Sequence, residues 1–417
     1  MKKVIGIILA IILIFLGGTL GYTLIYKATP RDFITEDTRI VYANENIKNK
    51  DFTPILYLLD DDEVKDKVKK DIKNLRYLSK FYLFSDKEFY EISEKSFTVV
   101  VDPGYWYFTA LKSLDKYFQY ENGIYILKDE YREKYLPEIK SDIFMKNYRG
   151  LFIVSLGEKN IKDFIAKDRK SLYNKEMERE LDMSSNNLFG TLVYNNKGND
   201  FYGVELLSAS ADLNRDRAFS TDKIYINEKE SEILKTDMVR RELTKYVKKN
   251  DIYFSVNDFS KLDKIIFNSL ITRTGVDSRT MLSIWKNIFG IDIEEILKEI
   301  DGEIIFRPRE SAVMVKLKEN TPEISRLLSL LKDENSTFFT ENAIELNGNI
   351  LKIGNSKFEE NPNPYKISAE TFCFGEITSE EFIDIQGIEG TVRGESQIIT
   401  IESEMSIDIL KKLINEY

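Results

Sequence analysis

An uncharged, largely apolar stretch opens the chain: no charge interrupts Val4–Tyr26 in MKKVIGIILAIILIFLGGTLGYTLIYK. At about 1.5 Å per residue, a helix of that length reaches roughly 35 Å and can cross a bilayer core of about 30 Å. Two readings are open, a retained anchor and a cleaved signal. A cleaved signal has an apolar run of about 7–15 residues and then a small-residue site. Here the run continues past Gly17 and Gly18, Thr19-Leu20-Gly21 makes a weak site, and Tyr22 and Tyr26 suit an interfacial aromatic belt. The pattern favours the anchor. Lys2 and Lys3 then lie on the cytoplasmic side and the remainder outside; Lys27 and Arg31 weaken that bias without reversing it. No Cys follows the run, which excludes lipoprotein processing.

Beyond it, apolar periodicity switches repeatedly between strand and helix. DDDEVKDKVKKDIKNLRYLSKFYLF places Val64, Val68, Ile72, Leu75 and Leu78 on one helical face, with acids first and bases later to suit the helix dipole. SRTMLSIWKNIFG and DIEEILKEIDG read as short helices, each closed by Gly, and TDMVRRELTKYVKK as another. SQIITIESEMS alternates like a strand with one solvated face. Five segments recur in one order, about 200–225 residues apart, starting at Thr38 and Asn250, Ser96 and Ser311, Tyr120 and Glu345, Gly150 and Glu370, and Leu188 and Ile388. The third pair carries Asn-Gly in a strand context, a hairpin signal. The expected fold is α+β: two tandem pseudo-repeats of mostly antiparallel sheet with packed helices, preceded by one transmembrane helix. The expected boundaries are a cytoplasmic head 1–3, an anchor 4–26, a linker 27–37, a first repeat 38–208, a linker with a helix 209–249 and a second repeat 250–417.

The run DIYFSVNDFSKLDKII, a helix ending EIDGEIIF, then AVMVKL and NGNILKIG, resembles a group of bacterial membrane-anchored envelope proteins that share a repeated α+β domain of unknown function. The resemblance covers residues 250–355 best and 38–205 weakly. It implies an extracytoplasmic setting and no known reaction, so no catalytic residue is carried over. In the first half the Val-Asn pair becomes Ala43-Asn44, which keeps only the Asn.

Composition narrows the chemistry. The chain has 417 residues, 70 acids, 60 bases and no His. Without His, Ser-His-Asp and Cys-His catalysis and the commonest zinc ligand are excluded. The net charge of -10 repels nucleic acid and gives no attraction to anionic lipid heads, so a membrane tie rests on the apolar N-terminus. The single Cys373, in TFCFG, has no disulfide partner and reads as a small buried strand residue.

Few local constellations invite a function. Asp212, Asn214 and Asp216 alternate like the start of a calcium loop, but Arg217 and Lys223 stand where Gly and a bidentate Glu are needed. Asp60, Asp61, Asp62 and Glu63 read as a helix start rather than a cation site. Glu376, Glu380 and Glu381 cluster near one loop without the spacing evidence a carboxylate pair needs. No catalytic, metal or cofactor residue is therefore assigned. DPGYWYF, at Asp102–Phe108, is the most unusual stretch: a Pro-Gly turn followed by four aromatics. Tyr107, Leu111 and Leu114 continue at helical spacing and read as core; Tyr105 and Trp106 are the candidate binding residues for a sugar, a lipid edge or a protein. The sequence thus supports a non-catalytic, membrane-tethered envelope module, an interaction or scaffold module that binds another envelope protein or holds a structure in place. The alternative is a carrier or receptor for an apolar ligand, such as a lipid, in a groove between the two repeats.

Overall fold

A computed structural model of the chain describes residues 27–88, 91–167, 175–196, 204–226, 234–261, 286–287, 290, 292–331, 344–354, 356–378, 384–393 and 396–416. The expected anchor, Val4–Tyr26, lies outside them, as does most of SRTMLSIWKNIFG. Among the described residues no helix is long and apolar enough to cross a membrane. The fold is α+β, built on antiparallel sheet with several helices. It divides into two compact units, Met1–Asn195 with Ser210–Arg215, and Asn196–Ala209 with Asp216–Tyr417.

The first unit contains β1 (Ile40–Glu45), β2 (Lys80–Ser85), β3 (Thr98–Asp102), β4 (Phe118–Glu121), β5 (Ile124–Leu127), β6 (Phe144–Tyr148), β7 (Leu151–Ser155) and β8 (Thr191–Asn195). All pairs are antiparallel, in the order β8-β1-β2-β3-β7-β6-β5-β4. Its helices are α1 (Asp62–Leu75), α2 (Tyr107–Tyr117), α3 (Asp129–Tyr135), α4 (Glu158–Ile165) and α5 (Lys175–Asp182). The turn between β4 and β5 puts Asn122 and Gly123 at φ 50° and 84°, the left-handed pair that matches strand twist in a two-residue hairpin. Arg149 and Gly150 make the β6–β7 turn in the same way, at φ 46° and 86°.

Helix α1 begins where Asp61 accepts the N–H groups of Glu63 and Val64, at 2.7 and 3.1 Å. It ends at Leu75, so the expected face loses Leu78, because the chain is drawn into β2 at Lys80, opposite Asp102. In α4, Ile161 and Phe164 are buried, and Phe164 stacks on Phe33 at 4.8 Å and leans on Phe84 at 5.1 Å. Such burial stabilises by about 1.5–3 kcal/mol per large side chain.

Strand β9 (Val204–Leu213) carries the chain across the unit boundary. The second unit continues with β10 (Arg217–Ile226), β11 (Ile252–Ser255), β12 (Ile300–Arg307), β13 (Ala312–Leu317), β14 (Ile344–Asn347), β15 (Ile350–Ile353), β16 (Thr371–Ile377), β17 (Asp384–Arg393) and β18 (Ser396–Ser406). Their antiparallel order is β10-β18-β17-β16-β11-β12-β13-β15-β14. Its helices are α6 (Ile293–Lys298), α7 (Pro322–Leu331) and α8 (Ile407–Glu416). Period-two alternation sends Ile252 and Phe254 of β11 into one apolar cluster, with Ile324 and Leu328 of α7. Tyr253 enters another, with Leu243, Ile305, Met314 and Phe358. Both faces of this part of the sheet are covered, so the solvated face expected from alternation is not general.

Three further expectations change. The helix over 236–249 is replaced by a short 3-10 turn, Leu243–Tyr246. Side chains capture the backbone donors a helix needs: Glu303 accepts from the N–H groups of Glu242 and Leu243 at 2.6 and 2.9 Å, and Asn257 from that of Met238 at 3.0 Å. Secondly, Asn347-Gly348 does not repeat Asn122-Gly123. Asn347 pairs with Ile350, so the turn residues are Gly348 and Asn349, with only Gly348 at positive φ, 61°. Thirdly, the five-segment correspondence is not reproduced. Both units contain an ordered triple, β1-β2-β3 and β11-β12-β13, with β8 or β16 beside its first strand. But β7 (from Gly150) lies beside β3 whereas β16 (from Glu370) lies beside β11.

Candidate functional site: an aromatic edge beside Lys27

The stretch Asp102–Phe108 joins β3 to α2. The Asp102 carboxylate, buried at the strand end, accepts the Gly104 N–H at 2.8 Å, and both its oxygens lie 2.9 Å from the Lys27 ammonium. Its carbonyl accepts the Ser79 N–H at 2.8 Å. These bonds hold the turn at the base of the patch. Gly104 adopts φ +58°, and a Cβ there would come within 3.2 Å of the Ser79 Cβ, so glycine suits both the conformation and the space. The chain then makes one 3-10 turn, Gly104–Trp106, and enters α2.

Helical spacing sorts the aromatics that follow. Tyr107 turns inward and stacks on Phe152 at 5.5 Å, in a cluster with Leu111, Leu114 and Met145. Tyr105, Trp106 and Phe108 turn outward, 93%, 46% and 62% exposed. The expected core residues and the expected exposed residues thus occupy opposite sides of one helix start. Phe108, the third member of the edge, was not singled out by sequence; its place one turn after Tyr105 and off the Tyr107–Leu111–Leu114 face was the available signal.

Neighbours brace the edge and give it positive charge. Tyr77 meets Trp106 edge-on at 4.8 Å, with the Arg76 guanidinium 4.8 Å from the Tyr77 ring centre. The Lys48 ammonium sits 5.1 Å from the Tyr105 ring centre. The local picture, three exposed rings flanked by cations, differs from the acidic average of the chain. It offers an amphipathic surface: apolar faces, polar tips and ammonium or guanidinium groups able to meet phosphate or carbonyl oxygens.

The other singled-out groups serve the fold around them. Cys373 is buried in β16, where desolvation pushes its thiol up to about 12. Glu376 accepts the Tyr365 hydroxyl at 3.0 Å, while Glu380 and Glu381 lie outside the described residues. Asp61 caps α1. Among the described residues no group of three or more His, Cys, Asp or Glu could hold a metal ion.

No protein-family model matches the chain, and no curated protein matches it. The resemblance read over residues 250–355 therefore has no family model behind it. Among solved structures, crystal form IV of TP0453 aligns at a TM-score of 0.31 and 11% identity, covering 49% of this chain and 83% of that one. Crystal forms III and I give TM-scores of 0.30 and 0.29 at 12% and 14% identity, covering 48% of this chain and 80% and 79% of theirs. At these scores the likeness carries no argument about function.

Proposed function

We propose that the chain is a non-catalytic interaction module, tethered by residues 4–26 to the cytoplasmic membrane with both units outside it, and that its first unit works through the Tyr105–Trp106–Phe108 edge. The observation that carries this reading is the exposure of three adjacent large aromatics on a turn held by hydrogen bonds to the buried Asp102 carboxylate. Leaving such area in water forgoes about 1.5–3 kcal/mol per side chain, a cost that binding would recover. The uncharged run before Lys27 supports the tether. We further infer a duplicated origin for the two units. It is supported by the strand triple the two units share, β1-β2-β3 and β11-β12-β13, with β8 or β16 beside its first strand.

Topology is tested with the thiol content of the protein itself. Cys373 is buried and poorly ionised, so it gives little background. Met238→Cys places a thiol at a position 80% exposed. A membrane-impermeant maleimide should label this variant in intact spheroplasts. Labelling only after lysis would put the units in the cytoplasm and sink the reading.

A further inference from the structure

We propose that the Tyr105–Trp106–Phe108 edge seats in the headgroup–acyl boundary of the same bilayer that carries residues 4–26, so that the first unit lies against the membrane at this end. The proposal rests on the tethered reading above and adds the occupant of the edge.

The place where the apolar run ends argues for it. Lys27, the first residue after Tyr26, lies within the described structure, and its ammonium is bound to both oxygens of Asp102. Tyr105 follows Asp102 by three residues, a length of chain that spans at most about 11 Å. If the run leaves the bilayer at Tyr26, the Lys27–Asp102 bond holds the aromatic edge near the point of exit. Ala28 strengthens the connection: it is fully buried and its N–H donates to the Arg149 carbonyl at 2.9 Å, so the chain enters the fold without a free tether. A swinging linker would let the edge face any direction; this entry does not.

Side-chain chemistry points the same way. Tyr and Trp are the residues that settle at the bilayer interface, with the ring in the boundary and the polar tip wet. Phe108 adds an apolar anchor one helical turn from Tyr105. Lys48 and Arg76 lie over rings of the same patch, where long stems can snorkel toward phosphate oxygens. The net charge of -10 makes anionic lipid an unfavourable driver, so the seating is apolar and interfacial and should occur on zwitterionic lipid. A protein partner would not require the edge to adjoin the exit point; the bilayer does.

The test uses the full chain. Of its two Trp, Trp285 is replaced (Trp285→Phe), leaving Trp106 as the reporter. The protein is reconstituted into phosphatidylcholine vesicles carrying bromine either near the headgroups or deep in the acyl chains, and flotation reports membrane association. Flotation with Trp106 emission quenched about twofold or more by shallow bromine, and less by deep bromine, is the expected result for an interfacial ring. Tyr105→Ser with Phe108→Ser should relieve that quenching while lowering the unfolding temperature only slightly, since both side chains are largely exposed and give up contacts with Lys48 and the edge of Tyr107. Flotation with equal Trp106 emission in brominated and plain lipid overturns the seating and leaves the tether standing. Absence of flotation overturns the tether and the seating together. Emission that changes with protein concentration but not with bromine assigns the edge to a second copy and likewise overturns the seating. If Trp285→Phe fails to fold, the same quenching is read as the difference between the unaltered chain and Trp106→Phe.

Discussion

Each unit buries a glutamate beneath a tyrosine hydroxyl, and the two glutamates are treated oppositely. In the first, Tyr82 of β2 donates to Glu45 of β1; in the second, Tyr253 of β11 donates to Glu303 of β12 at 2.9 Å. Both bonds run diagonally, since Glu45 lies opposite Lys80 and Glu303 opposite Ser255. Burial raises both carboxyls. For Glu45 the Tyr82 hydroxyl and the charges of Lys80 and Arg31 outweigh burial and hold it below the ordinary range. For Glu303 burial wins over the N–H groups of Glu242 and Leu243, the Tyr253 hydroxyl and the more distant Lys316, and the group is held above it. Side-chain cations offset desolvation more fully than neutral donors do, even when the neutral donors are well placed.

The largest test removes the cation. Arg31 lies 3.0 Å from Glu45, 3.1 Å from the Tyr82 hydroxyl and 2.5 Å from Asp182. Arg31→Met should cost the first unit about 3 kcal/mol, because it strips a buried carboxylate of its bonded guanidinium and leaves the Tyr82 hydroxyl and Lys80. Hydrogen exchange in peptides covering 40–45 reads this directly, and peptides covering 300–307 should not change. A loss below about 1 kcal/mol would mean that Lys80, 3.2 Å away, suffices alone, and the contrast would shrink.

Next in size is Glu303→Gln. One amide oxygen cannot replace two carboxylate oxygens that each accept a backbone N–H, and the new NH2 faces a donor. About 2 kcal/mol should be lost from the second unit at neutral pH. The change should also release the 3-10 turn at Leu243–Tyr246, seen as faster exchange there. Unchanged exchange would show that Asn257 and Arg241 hold that segment without Glu303.

The pH response is more modest and has opposite signs. Glu45 titrates lower folded than unfolded, so its stabilisation is complete above the ordinary glutamate value of about 4.3 and disappears as pH falls through its folded value. Glu303 titrates higher folded than unfolded, so between about 4.3 and its folded value the native state binds more protons, and stability there falls as pH rises. Acidification from neutrality toward about 5 should therefore raise the protection factors, that is exchange corrected for its intrinsic pH dependence, around 300–307 without raising them around 40–45. Parallel responses in the two sets of peptides would break the comparison.

Little of this could be read from the sequence, for a physical reason. Glu45 and Glu303 are two of 70 acids, and their partners come from far along the chain: Arg31 and Tyr82 lie 14 and 37 residues from Glu45, and Tyr253 lies 50 from Glu303. Local patterns do not carry such pairings. The faint signal was an acid inside an apolar strand, in RIVYANE and EIDGEIIF. By contrast, the aromatic edge was largely legible, since helical spacing alone separates Tyr107, Leu111 and Leu114 from Tyr105 and Trp106. The failed helix over 236–249 belongs with the glutamates: its periodicity was adequate, but Glu303 and Asn257 took its donors. Asn-Gly was legible as a hairpin and illegible as a register, because the two turns use different residues of the same dipeptide context.

The smallest chemical change sharpens the comparison furthest, because it removes one hydroxyl from each unit and nothing else. Tyr82 is fully buried, and its hydroxyl donates to Glu45 and accepts from Arg31. In Tyr82→Phe the Arg31 guanidinium still reaches Glu45, so each charge keeps its counterpart and the loss should be about 1 kcal/mol. Tyr253 is also fully buried, but among the described residues no guanidinium or ammonium is bonded to Glu303 to take over. Tyr253→Phe should cost about 2 kcal/mol at neutral pH and lift the Glu303 carboxyl further, so that this loss shrinks on acidification while the Tyr82→Phe loss does not. The pair is measured as six sets of protection factors, the two variants and the unaltered chain at two pH values. Equal losses with equal pH dependence would mean that the cations of the first unit confer nothing that backbone donors do not, and the lesson drawn from the two glutamates would fail.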